Sequence, residues 1–165
     1  IPQGDLLFGE LTVEDNLLAA AQGEQWRHRI ELLSAAYALF PILDERRRQL
    51  AGTMSGGQRR MLAIARGLMM RAELILVDEP SLGLAPRVVS DVYRALRELL
   101  AAGIALLIVE ENPDRLRGLV DQTFLLEAGT IVKRGSFEEI LADEQLVKTY
   151  LGTGADGGAA SSPAP

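Results

Sequence analysis

The 165-residue sequence contains no cysteine and only one histidine. Disulfides and thiolate metal sites are therefore excluded, and a single histidine cannot form a histidine-rich metal centre. Long apolar runs are missing as well, because the longest aliphatic stretch, residues 104–109, is far shorter than the ~20 residues that span a bilayer. A connection with a membrane would have to be made through a partner.

Lysine is scarce, and this bears on phosphate binding. A P-loop requires the pattern GxxxxGK[S/T], in which the lysine reaches the β- and γ-phosphates of a nucleotide. The sequence has two lysines, Lys133 and Lys148, and neither follows such a loop. The sequence also begins at Ile1 without a methionine and lacks the basic and apolar regions of a signal peptide.

The composition favours a folded domain that does not bind nucleic acid. Hydrophobic residues make up 48% of the chain, which is enough for one domain with a real core. The 17 basic and 23 acidic residues give a net charge of -6. Such a balance argues against a protein that binds nucleic acid mainly through charge.

A short glycine turn, Ser55-Gly56-Gly57-Gln58, predicts the start of a helix. Serine is a strong N-cap, and the glycines allow backbone N–H groups to approach a ligand closely. The N-terminus of a helix favours an anion such as phosphate, and Arg59 and Arg60 in the first turn support a bound phosphate. An ordinary capped helix is the alternative for this turn taken alone.

An acidic pair closes the next apolar run, residues 74–77. Four consecutive aliphatic residues followed by Asp78, Glu79 and Pro80 predict a strand that is buried on both faces of a parallel sheet. Ligands of open α/β sheets lie beyond the carboxyl ends of the strands. There one carboxylate suits a magnesium shell and the other an attacking water, whereas a solvated acidic turn is the alternative.

Taken together, these segments resemble the ATP-binding-cassette (ABC) ATPases. The tetrapeptide SGGQ is similar to the family's signature, LILVDE to its Walker B strand with the catalytic glutamate, and SLGLAP (residues 81–86) to its D-loop, with Ala85 at the usual aspartate position. The resemblance implies an α/β protein with a partial P-loop NTPase fold, made of a helical subdomain and the later part of a parallel-sheet core lobe. The implied divisions are residues 1–9 (Q-loop segment), 10–71 (helical subdomain), 72–152 (core lobe) and 153–165 (disordered tail).

The resemblance also implies roles for residues on this chain. Gln3 would be the Q-loop residue that contacts magnesium and the γ-phosphate region. Asp78 would support magnesium, partly through water, and Glu79 would orient the attacking water. Glu111 occupies the switch position, which is a histidine in most of the family. The signature residues that would bind a partner's ATP are Ser55, Gly56, Gly57 and Gln58.

The cofactors implied by the resemblance are ATP and Mg²⁺. The implied partners are a second ATPase subunit in a nucleotide-sandwich dimer, transmembrane permease subunits and, indirectly, a solute-binding protein, with no nucleic acid. The protein would then lie at the cytoplasmic face of the cell membrane. The family's P-loop precedes the Q-loop, so we expect a sequence that is incomplete at its N-terminus.

The remaining pattern predicts further elements. Thr12 would cap a helix over residues 13–21, and Trp26, Ile30, Leu33 and Tyr37 predict one buried helical stripe over residues 25–38. After Pro86 we expect a helix to residue 100 and a parallel strand over 104–109. A hairpin (123–126 and 130–133), a helix capped by Ser136 and a last helix at about 143–150 complete the prediction.

Three functions remain open from the sequence. The first is the ATPase subunit of an importer for branched-chain or related amino acids, which the residues LTVEDNL, SLGLAP and VEEN favour by their resemblance to that branch. The second is a truncated or degenerate subunit that supplies only the signature half-site, because a carboxylate at Glu111 would repel a γ-phosphate. The third is a chromosome-maintenance or DNA-repair ATPase, which would require coiled-coil heptads or a basic face that the sequence does not show.

Overall fold

A computed structural model describes residues 1–2 and 6–143 of the chain. The chain divides into two compact units, of which the first comprises Ile1–Glu111 and the second begins at Asn112. None of the helices in these described ranges has the length and apolar character that crossing a bilayer requires. The predicted Q-loop residue Gln3, the tail 153–165 and nearly all of the predicted helix at 143–150 lie outside the described residues. The predicted division into domains stays a prediction.

The first unit begins with helices packed around one long helix. They are α1 (Val13–Leu18), α2 (Arg29–Leu39), α3 (Pro41–Glu45) and α4 (Gly56–Met69), with 3-10 turns at Gly23–His28 and Ala51–Thr53. All of α1, α2 and α3 pack against α4. The helical period of the sequence predicted the apolar face of α4, and its buried members include Met61, Leu62, Ile64, Ala65 and Met69.

The first helix is capped as predicted but ends earlier. The Thr12 side chain accepts a hydrogen bond from the Asp15 N–H at 3.1 Å, which satisfies one of the donors that every helix start leaves open. The helix stops at Leu18 because the N–H of Ala20 bonds the Leu17 carbonyl at 3.0 Å, three residues back, and so tightens the turn.

Asn16 joins α1 to the segment that precedes it. Its side chain is completely buried. The amide NH₂ donates to the carbonyls of Phe8 and Thr12, both at 2.9 Å, and of Leu11 at 3.3 Å. The amide oxygen accepts from the Phe8 N–H at 2.9 Å. One side chain therefore satisfies both backbone groups of Phe8, which no apolar side chain could do.

The buried stripe predicted over residues 25–38 is wrong in its first half. Trp26 is 47% exposed and Ile30 is 68% exposed, whereas Leu33 is buried and Tyr37 half-buried. Trp26 lies in a 3-10 helix that runs to His28, and three residues per turn put its side chain out of step with the 3.6-residue period of α2, whereas Ile30 lies in α2 but off its buried face. The residues of α2 that are buried are Leu32, Leu33, Ala36 and Leu39.

Tyr37 links α2 to α1 through its hydroxyl, which donates to Glu14 Oε2 at 3.1 Å. Burial, and then the neighbouring Glu14 carboxylate, raise the pKa of the Tyr37 phenol above its usual range. The phenol therefore stays protonated in the folded protein and keeps its role as a donor.

A pair of parallel strands follows the helices. Strand β1 (Leu74–Asp78) pairs with β2 (Ala105–Val109), and the register places Asp78 opposite Val109. The connection between them is α5 (Pro86–Ala101), so the predicted strand, helix and parallel strand are confirmed. On the other side of β1, the Asp78 N–H donates to the Ile1 carbonyl at 3.0 Å.

The prediction that β1 is buried on both faces is wrong. Ile75 and Val77 are buried, but Leu74 and Leu76 are each 52% exposed. Successive side chains of a strand point to opposite faces, and α4 covers the Ile75 face so closely that a Cβ on Gly67 would lie 3.0 Å from Ile75 Cδ1. The opposite face has no comparable cover within residues 1–2 and 6–143.

The described part of the second unit, residues 112–143, contains a hairpin and two short helical segments. A 3-10 turn (Pro113–Leu116) precedes β3 (Thr123–Glu127) and β4 (Thr130–Gly135), which are antiparallel, and α6 (Phe137–Leu141) follows. The predicted hairpin is confirmed. The predicted capping box is confirmed too, because Ser136 and Glu139 each bond the other's backbone N–H.

We predict that Asn16→Asp lowers the free energy of unfolding by about 2–4 kcal/mol, because a carboxylate cannot donate to the three carbonyls that the amide now serves. Urea denaturation at neutral pH measures this loss. The control is Asp15→Asn, an exposed neighbour, for which we expect a change below about 1 kcal/mol. Equal losses in the two variants would contradict a special role for Asn16.

Candidate functional site

The glycine turn has the helix-start geometry that the sequence predicted. Ser55 caps α4, with its Oγ accepting the Gln58 N–H at 3.4 Å, and Gln58 Oε1 accepts the Ser55 N–H at 3.0 Å. This reciprocal capping box fixes the first turn of the helix. Ser55 and Gly56 are exposed, and N–H groups at the first helical positions have no partner within the helix. The turn can therefore present donors to an anion.

The two glycines of the turn have different reasons to lack a side chain. A Cβ on Gly57 would lie 2.5 Å from Val88 Cγ1 in the first turn of α5, so this glycine allows two helices to approach. A Cβ on Gly56 would meet nothing within 4 Å. Gly56 is thus the position at which an incoming group could reach the backbone without displacing protein atoms.

The acidic pair lies at the carboxyl end of β1. Asp78 is exposed, and Glu79 is half-buried with φ 44°, in the left-handed region that side-chain-bearing residues rarely occupy. The Glu79 N–H donates to the Val109 carbonyl at 2.9 Å, which extends the pairing of β1 and β2 by one step. This backbone conformation turns the chain sharply at Glu79, so that the chain leaves the line of β1 directly after Asp78.

A buried hydroxyl pair beside this turn was missed by the sequence reasoning. Ser81 Oγ donates to Glu110 Oε2 at 2.7 Å, and Tyr93 OH donates to the same oxygen at 2.5 Å. Ser81 and Tyr93 are 3% and 4% exposed, and Glu110 is half-buried. The sequence did show two carboxylates after β2, and the resemblance assigned Glu111 a role, but no pattern in the sequence predicted that Glu110 would accept from two buried hydroxyls.

Glu111 is exposed at the end of β2. Because Asp78 pairs with Val109, the residues that follow both strands emerge at one edge of the sheet. The structure thus brings Asp78, Glu79 and Glu110 to the same edge. Within the described residues, Asp78 shares no hydrogen bond with the Ser55 turn.

Two arginines of α4, Arg60 and Arg66, bond backbone carbonyls near the start of the chain. Arg60 is 4% exposed, and its guanidinium donates to the Pro2 carbonyl at 3.2 Å. Arg66 donates to the Leu6 carbonyl at 2.7 Å and lies 5.2 Å from the Phe8 ring centroid, and burial lowers its pKa. The support that Arg60 was expected to give a phosphate at the turn is therefore wrong, because its side chain points into the protein. Residues 2 and 6, on either side of the undescribed Gln3, are both bonded to α4.

The chemistry of the donors fits a nucleotide with magnesium at the edge of the sheet. The described part of the chain has no cluster of three His, Asp or Glu side chains that could hold a metal by itself. Magnesium differs from most metals in that it keeps several waters and takes only one or two carboxylates together with substrate phosphates. Asp78 could supply such a carboxylate at this edge. The Gly56 turn is a separate position, and its open N–H groups also suit a phosphate oxygen.

Residues 1–82 match the family described as ABC transporter. The chain is 37% identical over 153 residues to the high-affinity branched-chain amino acid transport ATP-binding protein BraG of Pseudomonas aeruginosa, covering 92% of this chain and 65% of that protein. The chain belongs to the ABC ATP-binding family. The structure confirms the predicted helix start at Ser55 and the predicted strand, β1, while the signature and Walker B roles of these segments stay predictions.

Two further ABC proteins, one relative and one solved structure, are similar to this chain in sequence and in fold. The lipopolysaccharide export system ATP-binding protein LptB of Haemophilus influenzae is 32% identical over 158 residues, covering 92% of this chain and 64% of that protein. A solved ATP-binding cassette of an ABC transporter in its ADP conformation superposes with a TM-score of 0.68 at 28% identity, covering 92% of this chain and 66% of the other. The predicted ABC ATPase fold is confirmed by this likeness.

The chain spans 65% of the length of BraG and 64% of the length of LptB. The similarity covers nearly all of this chain, so the two units both belong to the shared region. Activity, substrate and partners are properties of whole ABC proteins, and for this chain they are proposals.

Because Gly57 packs against Val88 and Gly56 faces open space, the two glycines should respond differently to a methyl group. We predict that Gly57→Ala lowers the free energy of unfolding by about 1–3 kcal/mol, since the stiff β-branched Val88 cannot move aside freely. Gly56→Ala should leave it unchanged or raise it by up to about 1 kcal/mol through helix propensity. Urea denaturation of both variants measures the difference, and equal values would show that the contact with Val88 does not matter.

Proposed function

We propose that the protein carrying this chain is the ATP-hydrolysing subunit of an ABC importer for branched-chain or related amino acids. Family membership supports ATP as the ligand, and the relative named for branched-chain amino acid transport supports the class of solute. The residues SLGLAP and VEEN, which resemble that branch, support the same solute class.

The observation that carries the proposal is Glu79, held with φ 44° at the edge where β1 and β2 end. Strained backbone conformations persist only where the surroundings determine them, and they concentrate at functional sites. In this role Glu79 orients the attacking water and takes its proton, while Asp78 holds the metal through water. Magnesium, when bound with ATP, supplies charge neutralisation on the phosphates.

The signature turn would act on the nucleotide of a second subunit. Ser55 offers a hydroxyl and Gly56 an open backbone N–H at the positive end of the α4 dipole, and both suit phosphate oxygens. Gly57 and Gln58 contribute by packing on Val88 and by closing the capping box. Gln3 remains proposed as the Q-loop ligand of magnesium, and Glu111 as the switch residue.

The partners in this proposal are a second ATPase subunit and transmembrane permease subunits, with a solute-binding protein acting through the permease. The protein would then be peripheral at the cytoplasmic face of the membrane. The bonds from Arg60 to Pro2 and from Arg66 to Leu6 support this coupling, because they join the helix of the signature turn to both sides of the proposed Q-loop. A movement of the proposed Q-loop would therefore be transmitted to α4 through these two bonds.

A second candidate function is a subunit of a lipopolysaccharide exporter. It is favoured by the similarity to LptB, which at 32% identity is close to the 37% identity to BraG. The residues at the edge of the sheet would act on ATP in the same way in both functions. The solute would be chosen by other subunits, so the two candidates differ only in the partners.

For the catalytic role we predict that Glu79→Gln in the full-length protein lowers kcat for ATP hydrolysis by on the order of 100-fold or more, since an amide cannot take the proton of the attacking water. The affinity for ATP should stay within about twofold, because the change leaves binding contacts in place. The control is Glu73→Gln, an exposed glutamate just before β1. Turnover equal to that of the wild type would remove Glu79 from the catalytic role.

For the solute we predict that a host strain lacking the gene loses uptake of radiolabelled leucine and regains it with the wild-type gene but not with the Glu79→Gln gene. Normal leucine uptake together with failure of lipopolysaccharide to reach the cell surface would instead support the exporter. Uptake of an unrelated labelled solute serves as the control for general loss of membrane energy.

A further inference from the structure

The carboxylate of Glu110 gathers two hydroxyl groups from different elements. Its Oε2 atom accepts from Ser81 Oγ, in the turn after β1, and from Tyr93 OH on α5. Both donors are almost completely buried, so each hydroxyl requires an acceptor within the protein. Through these two bonds Glu110 joins the turn after β1 to α5.

Two consecutive residues at the end of β2, Val109 and Glu110, hold the turn that carries Glu79. Before the turn, the Glu79 N–H bonds the Val109 carbonyl at 2.9 Å. After it, Ser81 bonds the Glu110 side chain at 2.7 Å. Glu79 is therefore bonded to Val109, and Ser81, two residues later, is bonded to Glu110. The Glu79 side chain leaves the backbone between these two bonds.

This arrangement accounts for the backbone of Glu79. A non-glycine residue in the left-handed region is strained, and this conformation persists only when its surroundings impose it. If Ser81 were released from Glu110, the turn would lose this side-chain attachment to the end of β2, whereas backbone bonds such as that from the Glu79 N–H to the Val109 carbonyl would remain. The chain could then relax towards ordinary φ values, and the Glu79 side chain would change direction.

We propose that Glu110 is a positioning residue, which through Ser81 and Tyr93 fixes the turn at Glu79 and so aims the Glu79 carboxylate. The proposal rests on the proposed function, because the aim of Glu79 matters only where that side chain does chemistry. It also assigns different tasks to two adjacent carboxylates. Glu110 acts within the protein, and Glu111 remains exposed for a ligand.

The test uses the full-length protein with Ser81→Ala, Tyr93→Phe, Glu110→Ala and the conservative Glu110→Gln, whose amide oxygen can still accept. In the first three variants, hydrogen exchange of the Glu79 amide should be faster by on the order of 10-fold. For Ser81→Ala and Glu110→Ala, kcat for ATP should fall by on the order of 10- to 100-fold with KM within about twofold, as for a displaced catalytic group. Glu110→Gln should restore most of kcat.

Two matched controls separate positioning from a general loss of stability. Tyr37→Phe removes another phenol that donates to a carboxylate, that of Glu14, and Ser90→Ala removes a hydroxyl that bonds the Pro86 carbonyl on α5. Both should leave kcat and the exchange of the Glu79 amide unchanged. Unchanged kcat in Ser81→Ala and Glu110→Ala, in a protein that Glu79→Gln inactivates, would overturn the inference.

The same set distinguishes this inference from the proposed function. A wild-type protein that does not hydrolyse ATP would defeat the proposed function, and the exchange of the Glu79 amide would still decide whether Glu110 holds the turn. Exchange that is equal in the wild type, Ser81→Ala and Glu110→Ala would show that Glu110 does not fix Glu79, whatever the turnover.

Discussion

The parallel pairing of β1 with β2 is the constraint on which the candidate site depends. Asp78 opposite Val109 sets the point at which both strands end, and the bond from the Glu79 N–H to the Val109 carbonyl continues that pairing into the turn. Parallel strands need a crossover, and α5 supplies it. Acidic residues that are far apart in the sequence therefore meet at one edge because the backbone register brings them there.

The second organising element is α4, which uses each of its faces differently. Its apolar face packs on α1, α2 and α3, its first turn accommodates Val88 at Gly57, and Arg60 and Arg66 bond the segment near residues 2 and 6. Burying a guanidinium is costly, and the bonds to the Pro2 and Leu6 carbonyls offset part of that cost, although Arg66 Nε is buried without a hydrogen-bond partner among the described residues. The helix that begins at the signature turn is thus fixed at several points along its length.

Features that are set by neighbours in the sequence were predictable, and features that are set by distant contacts were not. The caps at Thr12, Ser55 and Ser136 follow from side chains three residues apart, so the sequence alone predicted them. The exposure of Leu76 and Trp26 depends on which elements cover them, which a pattern of residues does not contain. For the same reason the position of β1 was predicted correctly, whereas the prediction that both of its faces are buried was wrong.

The distinction between Glu110 and Glu111 shows why the site was only half predictable. Glu110 and Glu111 directly follow β2, and of these two neighbouring carboxylates Glu110 accepts from Ser81 and Tyr93 while Glu111 is exposed. A slip of one residue in the register would exchange their positions and put the other carboxylate against the buried hydroxyls. The pairing of Asp78 with Val109 therefore decides which of the two glutamates anchors the turn and which faces solvent. That choice lies in the backbone hydrogen bonds of the sheet and not in the identity of the residues.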